Sequence, residues 1–141
     1  MVTISLCMIV KNEERVLGRC LESVQEIADD IIIVDTGSED RTKEIAEKYH
    51  ARVFEQEWQD DFSRARNYSF SHAEMDYCMW LDADDIITKS EVLKLKRWKE
   101  ETDESSDVIM LRYVAGFDEK RNPTLVYYRE RIVKRDKDFQ W

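Results

Sequence analysis

The sequence predicts an α/β domain built on a mainly parallel sheet with helices on both faces, followed by a β-hairpin. Three observations carry that reading. Short apolar runs of strand length alternate with stretches whose apolar residues recur at helical spacing. Two of those runs stop abruptly in aspartate-containing loops. Beyond Asp107 the alternation ceases, and two strand-like runs follow with no helical pattern between them.

Taken in order, residues 3–10 form a β-rich apolar run, and Val16, Leu17, Cys20, Leu21 and Val24 then mark one face of a helix. A second run at 31–34 ends in Asp35-Thr36-Gly37-Ser38, after which Ile45, Ala46 and Tyr49 lay one apolar stripe on a polar helix. Val53 and Phe54 mark a short third strand, and residues 61–73 read as a helix. Residues 77–81 form a fourth strand, closed by Asp82-Ala83-Asp84-Asp85. Thr88 with Glu91 three residues later is a capping-box start for the helix carrying Val92, Leu95 and Trp98. Strands alternating with helices bury a parallel sheet on both sides. The runs at 108–114 and 125–132, separated by a turn region at 116–123, predict the hairpin. The charged run at 94–104 reads as a solvated helix face.

The chain's 141 residues at 43% hydrophobic content suit one domain, residues 1–141, with a real core. Its 31 acidic against 22 basic residues give a formal net charge of -9, an unfavourable field for a nucleic-acid backbone, so nucleic acid is excluded as partner. The apolar runs fall far short of the ~20 residues of a membrane helix, and the N-terminus carries no secretory pattern. A cytoplasmic location is therefore expected. Cys7, Cys20 and Cys78 are odd in number and have apolar neighbours, which predicts reduced core thiols. Neither His50 nor His72 has a ligand-spaced partner, and Trp58, Trp80 and Trp98 read as core or rim aromatics.

Function concentrates at the loops, because open α/β sheets bind ligands at the carboxyl ends of their strands. Asp82, Asp84 and Asp85 repel one another unless a cation neutralises them, and oxygen-only ligands select Mg²⁺ or Mn²⁺ over zinc. Such an ion completes its shell with water and substrate phosphates, so a diphosphate is the natural second ligand. The same tetrapeptide also suits an ordinary exposed turn. Asp35, Thr36 and Ser38 offer a carboxylate and hydroxyls beside a flexible Gly37, or alternatively a helix cap with a turn glycine. Arg64 and Arg66 are forked donors suited to phosphate, or else simply solvate a helix face.

Four stretches in order, Ser5-Leu6-Cys7-Met8-Ile9-Val10-Lys11-Asn12-Glu13-Glu14, Ile33-Val34-Asp35-Thr36-Gly37-Ser38-Glu39-Asp40, Asp61-Phe62-Ser63-Arg64-Ala65-Arg66-Asn67 and Trp80-Leu81-Asp82-Ala83-Asp84-Asp85, resemble glycosyltransferase family 2. The resemblance implies a GT-A fold and an inverting transfer from a nucleoside-diphosphate sugar, with a UDP-sugar favoured, to a glycan, lipid or protein acceptor. It implies that Val10, Lys11, Asn12 and Glu13 line the nucleoside pocket, that Asp35 contacts the base, and that Arg66 and Asn67 lie near the nucleotide. Asp82 and Asp84 match the D-x-D motif, with Asp84 the direct metal ligand, Asp82 nearer the ribose and Asp85 an acid behind them. Residues 1–106 would bind the nucleotide sugar, and residues 107–141 would begin the acceptor side.

In similar proteins the acid that activates the acceptor follows the hairpin, beyond the position of Trp141. The expectation is a partial GT-A domain that binds donor nucleotide without that base, with Asp118 and Glu119 poor substitutes and an exposed hairpin edge inviting self-association. Two other readings compete. One is a haloacid-dehalogenase-like phosphatase with Asp82 as nucleophile, although three predicted strands precede the motif and no acidic pair follows at a strand end. The other is a non-catalytic sugar-nucleotide-binding module. An EF-hand is excluded, because no glycine follows the acids at the sharp turn and no glutamate closes a twelve-residue loop.

Overall fold

The structure, a computed structural model, describes residues 1–137 and 139–141. Its elements run β1 (Ile4–Val10), α1 (Leu17–Val24), β2 (Asp30–Asp35), α2 (Thr42–Lys48), β3 (Arg52–Glu55), α3 (Phe62–Ser71), β4 (Tyr77–Trp80), α4 (Lys89–Glu101), β5 (Val108–Phe117) and β6 (Pro123–Lys134), with a short 3-10 turn at Arg135–Lys137. One six-stranded sheet has the order β3-β2-β1-β4-β6-β5. The first four strands in that order are parallel, and β6 and β5 join antiparallel. The centre falls on β1 and β4 because their sequences are almost wholly apolar, which only a strand covered on both faces tolerates.

Each face has its own core. On one side α1, α2 and α4 cover the sheet, with Leu17, Cys20, Leu21 and Val24 of α1 all buried at helical spacing against Leu6, Met8 and Met79. Burial of each such side chain contributes about 1.5–3 kcal/mol. On the other, α3 closes a smaller cluster of Cys7, Ile32, Ala73, Cys78 and Val133. All three cysteines are free and buried, as predicted. The helix starts are specified locally: the Asp61 carboxylate accepts from Arg64 N–H at 3.1 Å, and the Thr88 hydroxyl accepts from Glu91 N–H at 3.4 Å. Lys99 is the unusual core residue. Its side chain is 5% exposed, and its ammonium donates to the Ile27 carbonyl at 2.9 Å and pairs with Asp29 at 2.6 Å.

The hairpin is longer than residues 108–114 and 125–132 predict. Its turn is tighter because the Asp118 carboxylate accepts from Lys120 N–H at 2.9 Å and Asn122 N–H at 2.8 Å, with Arg121 at φ 63°. Pro123 falls at the first strand position, where no ladder donor is needed. β4 pairs with β6 only from Met79↔Ile132 to Tyr77↔Lys134, so the outer ribbon, with Phe117, Leu125 and Tyr128 exposed, stands beyond the sheet. No helix among the described residues is long and apolar enough to cross a membrane.

Candidate donor site

Three loops meet at the carboxyl ends of β1, β2 and β4, where sheet geometry gathers ligand-binding residues. The loop after β1 turns through Asn12, whose φ of 52° suits asparagine better than most residues. Backbone and side chain then stitch it to the loop after β2. Asn12 N–H donates to Ser38 Oγ at 2.9 Å, Glu39 N–H donates to Asn12 Oδ1 at 2.8 Å, and Glu13 N–H donates to Thr42 Oγ1 at 2.8 Å. Thr36 ties inward, its N–H and hydroxyl both donating to the Val10 carbonyl at 3.0 and 3.3 Å. Val10, Asn12, Glu13, Thr36 and Ser38 are thus brought together. The side chains of Asn12 and Thr36 hold the loops in place, while Lys11 lies exposed.

Asp35 is the group these stitches serve. It is 2% exposed, and its Oδ1 accepts from Gly37 N–H at 2.9 Å and Ser38 N–H at 2.8 Å. Gly37 supplies the φ of 119° that this tight return requires. Oδ2 is buried and has no hydrogen-bond partner among the described residues. An unsatisfied buried acceptor costs about 1–3 kcal/mol, more when charged. Asp35 borders a cavity of about 310 Å³ shared with Gly37, Ser38, Lys43, Glu55 and Gln56. Lys43 is held on that rim by Glu55, 2.5 Å away, which raises its pKa.

After β4 the chain alternates inward and outward: Leu81 and Ala83 are buried, while Asp82 and Asp84 are exposed. Asp85 N–H donates to the Asp82 carbonyl at 3.0 Å, and Asp82 N–H donates to Asp85 Oδ2 at 2.8 Å. The same Asp85 oxygen receives Arg131 at 3.0 Å. Asp82 lies 3.6 Å from Arg66. The Glu13 carboxyl is pushed above its ordinary value by desolvation first, then by Asp84, Asp40 and Asp82, so the acids after β1 and β4 share one field on one edge.

A divalent cation suits this edge in a limited way. Asp82 and Asp84 are exposed hard oxygen donors, Asp82 facing Arg66, whereas Asp85 is committed to Arg131. No group of three or more His, Cys, Asp or Glu among the described residues is arranged to hold a metal. Two carboxylates fit an ion whose shell a diphosphate completes, not a protein-only cage.

Trp80 forms the floor beneath. Its ring is faced by the guanidinium groups of Arg131 at 4.0 Å, Arg66 at 4.3 Å and Arg129 at 5.1 Å, and Trp141 packs edge-on at 5.5 Å. Desolvation lowers the Arg66 pKa, with Asp82 opposing. Asn67 bonds to Trp141, its Oδ1 accepting from Trp141 N–H at 2.8 Å. Arg64 bonds to Gln59 instead. Trp58 donates to Asp60 and packs edge-on against Phe62 at the rim, and His72 stacks on Phe54. The sequence reading missed Trp80, Arg129, Arg131 and Trp141 as site neighbours. The alternate placing of Arg129 and Arg131 on one face of a strand was the available signal.

The sequence matches the model of glycosyl transferase family 2 over residues 5–140. It is 45% identical over 100 residues to a TPR repeat-containing protein of Synechococcus elongatus, covering 71% of this chain and 23% of that protein. It is 31% identical over 97 residues to the SPbeta prophage-derived glycosyltransferase SunS of Bacillus subtilis, covering 67% and 23%. The chain thus spans about a quarter of the length of these relatives. Among solved structures it resembles S. aureus TarS 1-349, also solved in complex with UDP, at a TM-score of 0.60 and 24% identity, covering 75% of this chain and 34% of that one. It also resembles glucosyl-3-phosphoglycerate synthase from Mycobacterium tuberculosis in complex with Mn²⁺, UDP and glucosyl-3-phosphoglycerate, at a TM-score of 0.51 and 24% identity, covering 58% and 33%. With its mixed, mainly parallel sheet, its helices on both faces and its aspartate loops on one edge, this chain belongs to glycosyl transferase family 2.

Proposed function

We propose that the chain is the donor-binding part of a glycosyltransferase, that its donor is a UDP-sugar, and that Asp84 and Asp82 would hold a Mg²⁺ or Mn²⁺ ion to offset the diphosphate charge. The observation that carries the reading is the orphaned, buried Oδ2 of Asp35, a residue that borders the cavity. It offers one buried acceptor and no more, because Oδ1 is saturated by Gly37 and Ser38. Uracil presents a single imide N–H and satisfies it. Guanine presents two adjacent donors and would leave one unmet, and cytosine presents an acceptor at the matching ring nitrogen. The neighbours bound to UDP, one of them with Mn²⁺, support the same donor.

In this reading Glu13 and the loop of Val10, Lys11 and Asn12 flank the nucleoside, residues 1–106 hold the donor, and residues 107–141 begin the acceptor side. A bound cation would neutralise charge on the diphosphate. Arg66, fixed over Trp80, orients toward the same edge through Asp82. The acceptor nucleophile attacks the anomeric carbon as the bond to the diphosphate oxygen breaks, inverting configuration, and its proton passes to a carboxylate base. Asp118 is spent on the hairpin turn and Glu119 is exposed beside it, so neither is assigned as that base. The phosphatase reading finds no support, since the Asp82 loop follows the fourth strand and the family match spans it.

Calorimetry of UDP, GDP and CDP, each with and without Mn²⁺, tests the proposal. UDP should bind best, Mn²⁺ should strengthen it by at least about tenfold, and Asp84→Asn should abolish the metal increment while sparing metal-free UDP. Equal affinity for the three nucleotides, or no metal increment, defeats it.

A further inference from the structure

We infer that Asp85 is a positioning residue that clasps the metal-binding turn to the hairpin through Arg131, so that the hairpin sets the geometry of the Asp82 and Asp84 carboxylates. The inference rests on the metal reading of those two aspartates proposed above. It arises because Asp85 belongs to the acidic run yet does not behave as a ligand. One oxygen, Oδ2, receives both Asp82 N–H at 2.8 Å and the Arg131 guanidinium at 3.0 Å, across 46 residues of chain. Both side chains are withdrawn from water, at 13% exposure for Asp85 and 4% for Arg131.

Arg131 has little freedom to follow a moving partner. It lies over the Trp80 ring at 4.0 Å and the Tyr113 ring at 5.3 Å, and donates to the Trp80 carbonyl at 3.4 Å. One cation that belongs to β6 therefore holds the backbone before the turn, at Trp80, and the side chain at its far end, Asp85. Without that grip, the like charges of the neighbouring Asp82 and Asp84 carboxylates would spread the turn. Removing Asp85 would also strand a buried guanidinium, which would then seek Asp82 and take it from the cation.

The test is Mn²⁺ binding by electron paramagnetic resonance in the presence of UDP, with metal-free uridine affinity measured in parallel. Asp85→Ala should weaken Mn²⁺ binding by about 10–100-fold, the range for residues that orient metal ligands. Asp85→Asn, whose amide oxygen still accepts both N–H groups, should recover most of the affinity. Arg131→Met should weaken Mn²⁺ binding, and combining it with Asp85→Ala should cost no more than the worse single change. Uridine affinity should stay unchanged throughout, which general loosening of the fold would not allow. Mn²⁺ affinity of Asp85→Ala within twofold of the parent, or a parallel loss of uridine binding, overturns the clasp. Failure of the parent chain to bind Mn²⁺ with UDP overturns the donor-site reading itself, and the clasp with it.

Discussion

Changing Asp35 to asparagine isolates the oxygen to which the proposed nucleotide choice is assigned. The carbonyl of the introduced amide would keep the place of Oδ1, because Gly37 and Ser38 N–H groups at 2.9 and 2.8 Å both need an acceptor there. The amide NH2 must then occupy the place of the orphaned Oδ2. A uracil N–H that met an anion now meets a donor. Loss of a hydrogen bond to a charged group is worth about 1.5–3 kcal/mol, which at 1.4 kcal/mol per decade is about 10–150-fold in UDP affinity. CDP should move the other way, since the cytosine ring nitrogen accepts from an amide, so the UDP-to-CDP preference should collapse or invert. The free protein should not lose stability, because a neutral amide is less costly to bury unpaired than a carboxylate. Titration calorimetry with both nucleotides, beside a urea melt of the free variant, reads all three effects. UDP affinity within twofold of the parent in a folded Asp35→Asn chain would refute the assignment of Oδ2 to the base.

Glu13 has a folded pKa raised above its unfolded one by burial and by Asp84, Asp40 and Asp82, so its contribution to stability is present below the ordinary carboxylate range and is lost as pH rises through the raised value. Glu13→Gln should accordingly raise the melting temperature at about pH 7 and give no advantage near pH 4. An equal shift at both would contradict the electrostatic cause. Lys99→Met removes the buried ammonium that pairs with the part-exposed Asp29 and donates to the Ile27 carbonyl, and should cost about 1–3 kcal/mol in urea unfolding; an unchanged urea midpoint would mean that water replaces the ammonium at both acceptors. The Cys20 thiol, pushed up to about 12 by burial and then by Asp85, Asp84 and Asp82, should resist an aromatic disulfide reagent at about pH 8 until the chain unfolds. Labelling at the unfolded rate in native buffer would disprove its burial.

The elements could be read from the chain because each rests on neighbours close in sequence. Strand-length apolar runs mark β1 and β2, helical spacing marks α1, and the Thr88 and Asp61 caps lie within three residues of their partners. The order of the aspartate loops was also open to reading, since a parallel sheet brings strand ends to one edge whatever its exact register. The hairpin is legible but longer than its pattern suggests, because the Asp118 side chain tightens its turn more than composition foretells.

Other features depended on which distant groups meet. Sequence could place Asp85 among the acids, but only the β4–β6 pairing delivers Arg131 to it and so separates a turn brace from the two exposed aspartates. Asn67 could be placed on a helix beside Arg66, yet Trp141, 74 residues away, determines what it binds. Asp35 could be placed at a strand end, but its two oxygens differ only because Gly37 and Ser38 fold back on one of them. Local pattern governs backbone form through short-range sterics and burial. Partnership between charges follows from packing, which the complete arrangement of strands and side chains decides.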